Sequence, residues 1–268
     1  MTKKKAFCVG INDYGHRSAP EMGLSNLNLK GCVNDAHDWA NLLVRHYDFS
    51  VADVTLLTDM DATRANILKG IKDLLAGAKK GDVLVFTNSS HGFFTEDVSG
   101  DEEESEAVVV EGQYRKKGRY DEAICPYDYP RLIIDDELRE LFDGIGAGVN
   151  LTVISDSCFS GTLSDSSFSK KKGTRKLSQR SREILLTGTT DHALSGDAHE
   201  QGRYNGFMTY HAIKAIRDAG YRLTYAELYE KMLDSIKNSN TKYKDQHPQL
   251  EASPQNKQLY VFTNEFKK

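Results

Sequence analysis

Short apolar runs that alternate with helical patterns restrict the fold of this chain more than any other feature. Val83-Leu84-Val85-Phe86-Thr87 has the length of a buried strand, whereas Val33–Val44 and Thr63–Ala78 carry apolar residues at helical spacing. Strands that are buried on both faces and separated by helices are typical of βαβ units around a parallel sheet. The sequence therefore predicts an α/β fold with a mostly parallel sheet.

Six strands and about five helices are predicted along the 268 residues. Asp135-Asp136-Glu137-Leu138 begins one helix, because early acidic residues suit the N-terminal dipole. Thr224 and Glu227 form a capping box before another helix. Together the elements suit one doubly wound or three-layer domain. The predicted strands are Ala6–Ile11, Val54–Leu57, Val83–Thr87, Leu151–Ile154, Glu183–Thr187 and Gln258–Thr263.

Charge and composition exclude several classes of protein. The net charge is −4 and the pI is about 6.1, so no overall field favours nucleic acid. No apolar run approaches the roughly 20 residues of a transmembrane helix, and the N-terminal apolar stretch is shorter than a signal peptide requires. We therefore expect a cytoplasmic protein that does not bind a membrane.

The cysteines are too few and too scattered for a disulfide framework, and the absence of a C-x-x-C pair argues against zinc. Each thiol must therefore be judged singly. In an α/β protein a lone cysteine is usually a small core residue, and this suffices for a cysteine inside a strand or an irregular stretch. The four cysteines are Cys8, Cys32, Cys125 and Cys158.

Two segments have no apolar period and are expected to be mobile surface loops. Glu96–Glu106 carries seven acidic residues and runs into a stretch that ends in a basic cluster. Ser164–Arg182 is rich in Ser, Lys and Arg. The acidic run does not have the spacing of an EF-hand, so a solvated loop is the simpler interpretation.

Two polar stretches follow predicted strands and each presents one reactive side chain. Thr87–Gly92 contains His91, and Ser155–Gly161 contains Cys158. Functional groups in open α/β sheets gather beyond the carboxyl ends of strands, and we expect both stretches to be turns at that edge. Imidazole titrates in the range needed to activate a thiol, and nearby glycines leave N–H groups for an oxyanion.

These two stretches resemble sequence blocks of metacaspases and their prokaryotic relatives. Ser89-Ser90-His91-Gly92 is similar to the block around the family's histidine, and Asp156–Gly161 to the block around its cysteine. The resemblance covers nearly the whole chain; Ser90 and Phe159 depart from the usual glycine and histidine. Three further blocks match in the family's order: Gly31–Ala36, Asp121–Pro126 and Ile134–Leu138.

The resemblance implies a caspase-like three-layer sandwich with a central, mostly parallel six-stranded sheet. It also implies a monomeric cysteine endopeptidase that cleaves protein substrates after Arg or Lys. His91 and Cys158 would form a catalytic dyad, since no third member is evident in the sequence. The substrate pocket would be lined by Cys32, Asp35, Ser89 and Asp156. The simpler role of Asp35 is a negative charge at a helix N-terminus, and that of Asp156 is a turn-forming residue.

Calcium and self-processing are two further expectations from the resemblance. Asp121, Asp135 and Asp136 match positions that supply calcium ligands, although Asp135 or Asp136 could simply cap a helix. Residues 1–163 would form a large portion and 183–268 a small portion, joined by a basic loop over 164–182 that such an enzyme could cut. Two alternatives stay open: a catalytically silent interaction scaffold of the same fold, and another thiol hydrolase.

Overall fold

The fold is given by a computed structural model. It describes residues 2–15, 17–19, 25–96, 109–110, 113–114, 120–159, 182–188, 197–200, 202–239 and 248–267. The helices are α1 Cys32–His46, α2 Arg64–Leu75, α3 Asp135–Asp143, α4 Phe207–Asp218 and α5 Tyr225–Lys237. The strands are β1 Lys4–Gly10, β2 Val54–Thr58, β3 Val83–Glu96, β4 Val109–Val110, β5 Gln113–Tyr114, β6 Tyr120–Ile124, β7 Ile133–Ile134, β8 Asn150–Phe159, β9 Arg182–Thr187, β10 Asp197–Glu200, β11 Arg203–Gly206 and β12 Gln249–Glu251.

The central sheet has the strand order β12-β9-β8-β3-β1-β2. The four pairings from β9 through β2 are parallel, and only the edge strand β12 is antiparallel. Two short strands extend the sheet off this path: β6 pairs antiparallel with the end of β3, and β7 pairs with β6. The predicted mostly parallel six-stranded sheet is therefore confirmed as the main path of an eight-stranded sheet.

Helices cover both faces of the sheet and bury two hydrophobic cores. On one face α1, α4 and α5 pack against alternate sheet residues such as Cys8 and Val85. On the other face α2 and α3 pack against the intervening residues, including Phe7 and Phe86. Because every second residue of a strand points to the opposite face, both sets must be apolar. This explains the continuous apolar run at the start of β3.

One predicted strand is wrong. Gln258–Thr263 does not join the sheet; its first residue ends a 3₁₀ turn, Asn256–Gln258, and isolated bridges follow. The backbone N–H groups there find partners outside a strand: Phe262 N donates to the Tyr225 hydroxyl (3.0 Å) and Val261 N to the Leu223 carbonyl (3.0 Å). The sheet is completed instead by the short strand β12.

Threonine side chains cap the N-termini of α2 and α5. The capping box before α5 is confirmed: Thr224 Oγ1 accepts from Glu227 N (3.2 Å), and the Glu227 carboxylate accepts from Thr224 N (2.8 Å). At α2, Thr63 caps the helix by accepting from Asn66 N (3.3 Å). An ion pair between Arg64 and Glu137 joins α2 to α3.

The two predicted surface loops lie almost entirely outside the described residues. Only the backbone of Glu96 and the first strand residue, Arg182, are described from the segments 96–106 and 164–182. The division into large and small portions around that second loop stays a prediction. Within the described part of the chain, no helix is long and apolar enough to cross a membrane.

We expect Gly70→Ala to destabilise the protein. In an exposed helix this change stabilises by about 1 kcal/mol, but a Cβ at Gly70 would collide with the buried ring of Phe7. Overpacking of this kind costs about 1–3 kcal/mol. Urea denaturation should show the loss in the free energy of unfolding, with the exposed Lys69→Ala as control. A gain in stability for Gly70→Ala would contradict this packing.

Candidate active site

The pairing of β3 with β8 places the two predicted reactive residues side by side. In this parallel pair His91 lies opposite Cys158, and two residues earlier Ser89 lies opposite Asp156. Both strands continue through these positions, so turns at Thr87–Gly92 and at residues 155–159 are wrong; Ser160 and Gly161 lie outside the described residues. Hydrogen bonding between the strands, rather than a loop, therefore fixes the distance between the two backbones.

A backbone carbonyl orients the His91 ring. The ring is buried, and Nε2 lies 2.7 Å from the carbonyl oxygen of Leu27. Because a carbonyl can only accept, Nε2 carries the hydrogen and Nδ1 keeps its lone pair. Burial lowers the pKa of His91 to about 4, although the hydrogen bond to Leu27 opposes this shift. The imidazole is therefore neutral at pH 7, the form in which Nδ1 can accept a proton.

Tyr14 holds the main chain at the histidine, and the sequence analysis missed it. Its hydroxyl accepts from His91 N (3.1 Å) and donates to the Cys125 carbonyl (3.0 Å). The two rings also lie in contact, with centroids 5.3 Å apart. Tyr14 is fully buried, so both hydrogen bonds are shielded from water. The hydroxyl thus ties β3 at His91 to the residue that follows β6.

Asn12 fixes the start of α1, which carries the first predicted pocket block. Gly31, the N-cap residue, has no side chain to cap the helix, and Asn12 Oδ1 accepts instead from Cys32 N (2.8 Å) and Val33 N (3.3 Å). A Cβ at Gly10 would collide with the Cys32 carbonyl, so β1 can approach α1 this closely only with glycine. This contact sets the position of Cys32 and, one turn later, Asp35.

Asp35, Ser89 and Asp156 meet on the α1 face of the sheet. Ser89 Oγ donates to Asp35 (2.6 Å), and both residues are buried. Thr209 N, in the first turn of α4, donates to Asp156 (2.8 Å). A Cβ at Gly206 would collide with carboxylate oxygens of both aspartates, which places the two acids next to each other. Three of the four predicted pocket residues are therefore brought together.

The neighbouring carboxylates change the titration of Asp35. Loss of solvation raises the pKa of this fully buried acid well above its usual range, and the charge of Asp156 raises it further. Hydrogen bonds from Ser89, Asn205 and Gly206 oppose the shift. Two buried acids side by side favour a bound cation, since a positive charge would remove the cost of ionising both. Cys32, the fourth predicted pocket residue, is buried at the start of α1.

The opposite face of β3 and β8 carries a second polar group of residues. Asn88 Nδ2 donates to Ser157 Oγ (2.6 Å) and to Ser90 Oγ (3.0 Å), and Ser90 Oγ donates to the His91 carbonyl (3.0 Å). Ser90 stands where the resemblance led us to expect glycine. Its hydroxyl here is part of a buried network that joins both strands beside His91, so the departure is accommodated.

The remaining cysteines are placed as structural residues. Cys8 and Cys125 are fully buried, and burial raises the pKa of Cys8 to about 12 and that of Cys125 higher still. Neither thiol is therefore poised to react. This agrees with the expectation that they only fill the core. The side chain of Cys158 and the block that contains His192 lie outside the described residues.

A family model described as "Metacaspase, peptidase C14 domain" matches residues 4–167, which is more than half of the chain. The chain belongs to the metacaspase family. Metacaspase-1 of Cryptococcus neoformans (strain JEC21) is 30% identical over 94% of this chain and 62% of its own length. Metacaspase-3 of Arabidopsis thaliana is 31% identical over 90% of this chain and 67% of its own length. This metacaspase chain thus spans about three fifths of the Cryptococcus relative.

A solved structure shares the metacaspase fold seen here. The crystal structure of a Geobacter sulfurreducens protein superposes with a TM-score of 0.67, covering 97% of this chain and 98% of the other at 24% sequence identity. The match extends over the described sheet and its flanking helices. It supports the assignment of the fold class as a caspase-like α/β sandwich.

Two of the three predicted metal ligands, Asp135 and Asp136, lie at the start of α3. Arg139 forms ion pairs with Asp135 (2.7 Å) and with Asp136 (2.8 Å), and both acids are partly exposed. Asp121 belongs to β6, which contacts α3, but its side chain is outside the described residues. Within the part of the chain that the structure describes, no group of three His, Cys, Asp or Glu residues is arranged to hold a metal ion.

We expect His91 of this metacaspase to be the neutral tautomer with hydrogen on Nε2. Long-range ¹⁵N–¹H NMR of the Cys158→Ala protein should show a protonated Nε2 at pH 7 and a ring that titrates near pH 4. His211, whose Nδ1 lies 2.8 Å from Ser235 Oγ, is the internal comparison. A hydrogen on Nδ1 of His91 would disprove the role of the Leu27 carbonyl, and titration near pH 6.5 would contradict the effect of burial on the ring.

Proposed function

We propose that this chain is a cysteine endopeptidase that cleaves peptide bonds after Arg or Lys. The observation that carries the proposal is the β3–β8 register, which sets Cys158 opposite His91 and Asp156 opposite Ser89. One end of a single strand pair thereby holds a nucleophile, a base and an anionic binding group. The metacaspase relatives support the same chemistry, since their family is named for a peptidase domain.

The proposed reaction begins with His91 and Cys158. Nδ1 of His91, left free by the bond from Nε2 to Leu27, accepts the thiol proton, and the thiolate attacks the carbonyl carbon of the scissile bond. Backbone N–H groups near Gly92 and Cys158 stabilise the oxyanion. The protonated imidazole gives its proton to the leaving amine, and water then hydrolyses the thioester to regenerate the thiol.

The acid pair supplies the proposed specificity. Asp35 and Asp156 are buried next to each other, and within the described part of the chain the donors to Asp35 are uncharged: Ser89 Oγ, Asn205 Nδ2 and Gly206 N. An Arg or Lys side chain would bring the missing positive charge, and a guanidinium could bond two carboxylate oxygens at once. An aspartate at the same place would meet like charge. The proposal therefore excludes caspase-type cleavage after Asp.

Matched fluorogenic peptides that end in Arg, Lys or Asp test the activity and its specificity together. We expect wild-type protein to cleave the Arg and Lys peptides only, and Cys158→Ala to lose at least about a thousandfold in kcat/KM. Asp156→Ala should lose roughly 30-fold or more, because a buried partner of the substrate charge is removed. The exposed Asp73→Ala serves as control.

Three results would count against the proposal. Cleavage after Asp would contradict the anionic pocket, and full activity of Asp156→Ala would remove that residue from it. Silence on all three peptides would favour the interaction scaffold.

We propose that the enzyme also cuts itself within the basic loop 164–182. Intact-mass measurement should find these cuts in wild-type protein and not in Cys158→Ala. Cuts in both would point to a contaminating protease.

We also propose that calcium regulates the enzyme through Asp135 and Asp136, with Asp121 on the neighbouring strand. Carboxylate oxygens are the ligands that this hard cation prefers, so the donor chemistry is suitable. Arg139 bonds both acids in this structure and would have to release them. Bound calcium would supply positive charge between β6 and the start of α3.

Calorimetric titration of calcium into Cys158→Ala protein measures binding without self-cleavage. We expect saturable heat that is lost in the double variant Asp135→Asn, Asp136→Asn and kept in Asp73→Asn. Activity should fall when a chelator is added to wild type. No heat in the parent protein, together with activity that is unchanged by the chelator, would remove calcium from the proposal.

A further inference from the structure

A buried amide bridges two carboxylates at the edge of the acid pair. Asn205, in strand β11 just before α4, is 7% exposed. Its Nδ2 donates one hydrogen bond to Asp35 (2.9 Å) and another to Asp38 (2.8 Å), so both amide hydrogens are used on acids. The next residue, Gly206, donates its backbone N–H to both oxygens of Asp35 (2.9 Å each).

The two acids that share this amide differ in their other partners. Asp38 also forms an ion pair with Arg203 (2.5 Å), whose side chain is 46% exposed. Among the described residues, Asp35 receives hydrogen bonds from neutral groups alone, and it lies beside Asp156. Arg203 therefore offsets the charge of Asp38, whereas the described partners of Asp35 hold it in place without supplying a positive charge.

An amide suits this position better than a cation or a hydrophobic side chain. A hydrogen bond to a charged acceptor stabilises it by more than a neutral pair does, yet the amide adds no charge of its own. A lysine at position 205 would neutralise Asp35 from inside the protein and compete with a basic substrate. A leucine would leave two acceptors without this donor.

We propose that Asn205 is a positioning residue for substrate specificity, which orients Asp35 and favours its ionised form for the Arg or Lys side chain before the scissile bond. The inference rests on the proposed peptidase function and adds to it a residue from the C-terminal part of the chain. Asn205 does not touch the reacting atoms; it acts through Asp35.

The inference has a defined pH dependence. The groups that face Asp35 are Ser89 from β3, Asp156 from β8, Asn205 and Gly206 from β11, and Asp38 on its own helix, with Arg203 behind Asp38. Loss of the Asn205 donor raises the pKa of Asp35 further, because that bond favours the ionised form. The acidic limb of kcat/KM for basic substrates should therefore move to higher pH.

Asn205→Leu removes the amide with little change in volume, and Asn34→Leu is its matched control. Asn34 Nδ2 donates to the Tyr204 carbonyl (2.7 Å), so it fastens the same strand to α1 without touching Asp35. We expect Asn205→Leu to raise KM for Arg peptides by about 10- to 100-fold with a smaller change in kcat. The inhibition constant of benzamidine should rise in parallel, and high pH should restore part of the loss.

Alkylation of Cys158 by neutral iodoacetamide should be the same in wild type and both variants, because it needs no basic side chain. Asn205→Ser, smaller and with one hydrogen to donate, is the second variant in case the leucine does not fold, and should show a partial rise in KM. Equal KM and pH profiles in wild type and all Asn205 variants would overturn the inference alone. A rise in KM and a shift of the pH profile of equal size in Asn34→Leu would also overturn it. Wild type that cleaves neither Arg nor Lys peptides would overturn the proposed function itself.

Discussion

The parallel pairing of β3 with β8 is the constraint on which the rest of this site depends. It sets His91 opposite Cys158, and the alternation of side chains sends neighbouring residues to opposite faces of the sheet. Ser89 and Asp156 consequently reach the α1 face, whereas Asn88 and Ser157 bond on the other. A slip of one residue would exchange these faces and separate the acids from α1. The two buried cores, one on each face, hold that register in place.

Acidic residues of the chain have two different kinds of partner. At the start of α3, Arg139 lies between Asp135 and Asp136 and offsets their charge within the protein. Around Asp35 the donors are a hydroxyl, an amide and a main-chain N–H, which stabilise a carboxylate but leave its charge in place. Keeping two such acids buried together costs free energy. A cation that binds between the two carboxylates would offset this free-energy cost.

The sequence could predict those parts of the site whose chemistry resides in a side chain of distinctive type. Cys158, His91, Asp35 and Asp156 fall in that class; Asp35 lies in a predicted helix, and the other three lie where predicted strands continue. The Leu27 carbonyl could not be predicted, because every residue has a carbonyl and only the path of the chain brings this one to His91. Tyr14, Asn12 and Asn205 carried no local signal either, since their partners are distant in sequence.

The errors in the prediction have a similar origin. Gln258–Thr263 has a composition that suits a strand, but the Tyr225 hydroxyl and the loop before α5 take the hydrogen bonds that a neighbouring strand would have made. The polar stretches around His91 and Cys158 suggested turns, yet they extend β3 and β8 because buried serine and asparagine side chains bond one another across the pair. Local preference was overridden in both cases by contacts between distant segments.

The distance in sequence between Asp35 and Asn205, 170 residues, bears on how the protein is made. The ribosome releases α1 and β3 long before Asn205, Gly206 and Thr209 emerge, and contacts between such remote segments form late in folding. A nascent chain can therefore assemble β1, β2 and β3 while the acid pair still lacks the donors that hold it. The acid pair is therefore completed only after Asn205, Gly206 and Thr209 have been synthesised, whatever the order in which the sheet itself assembles.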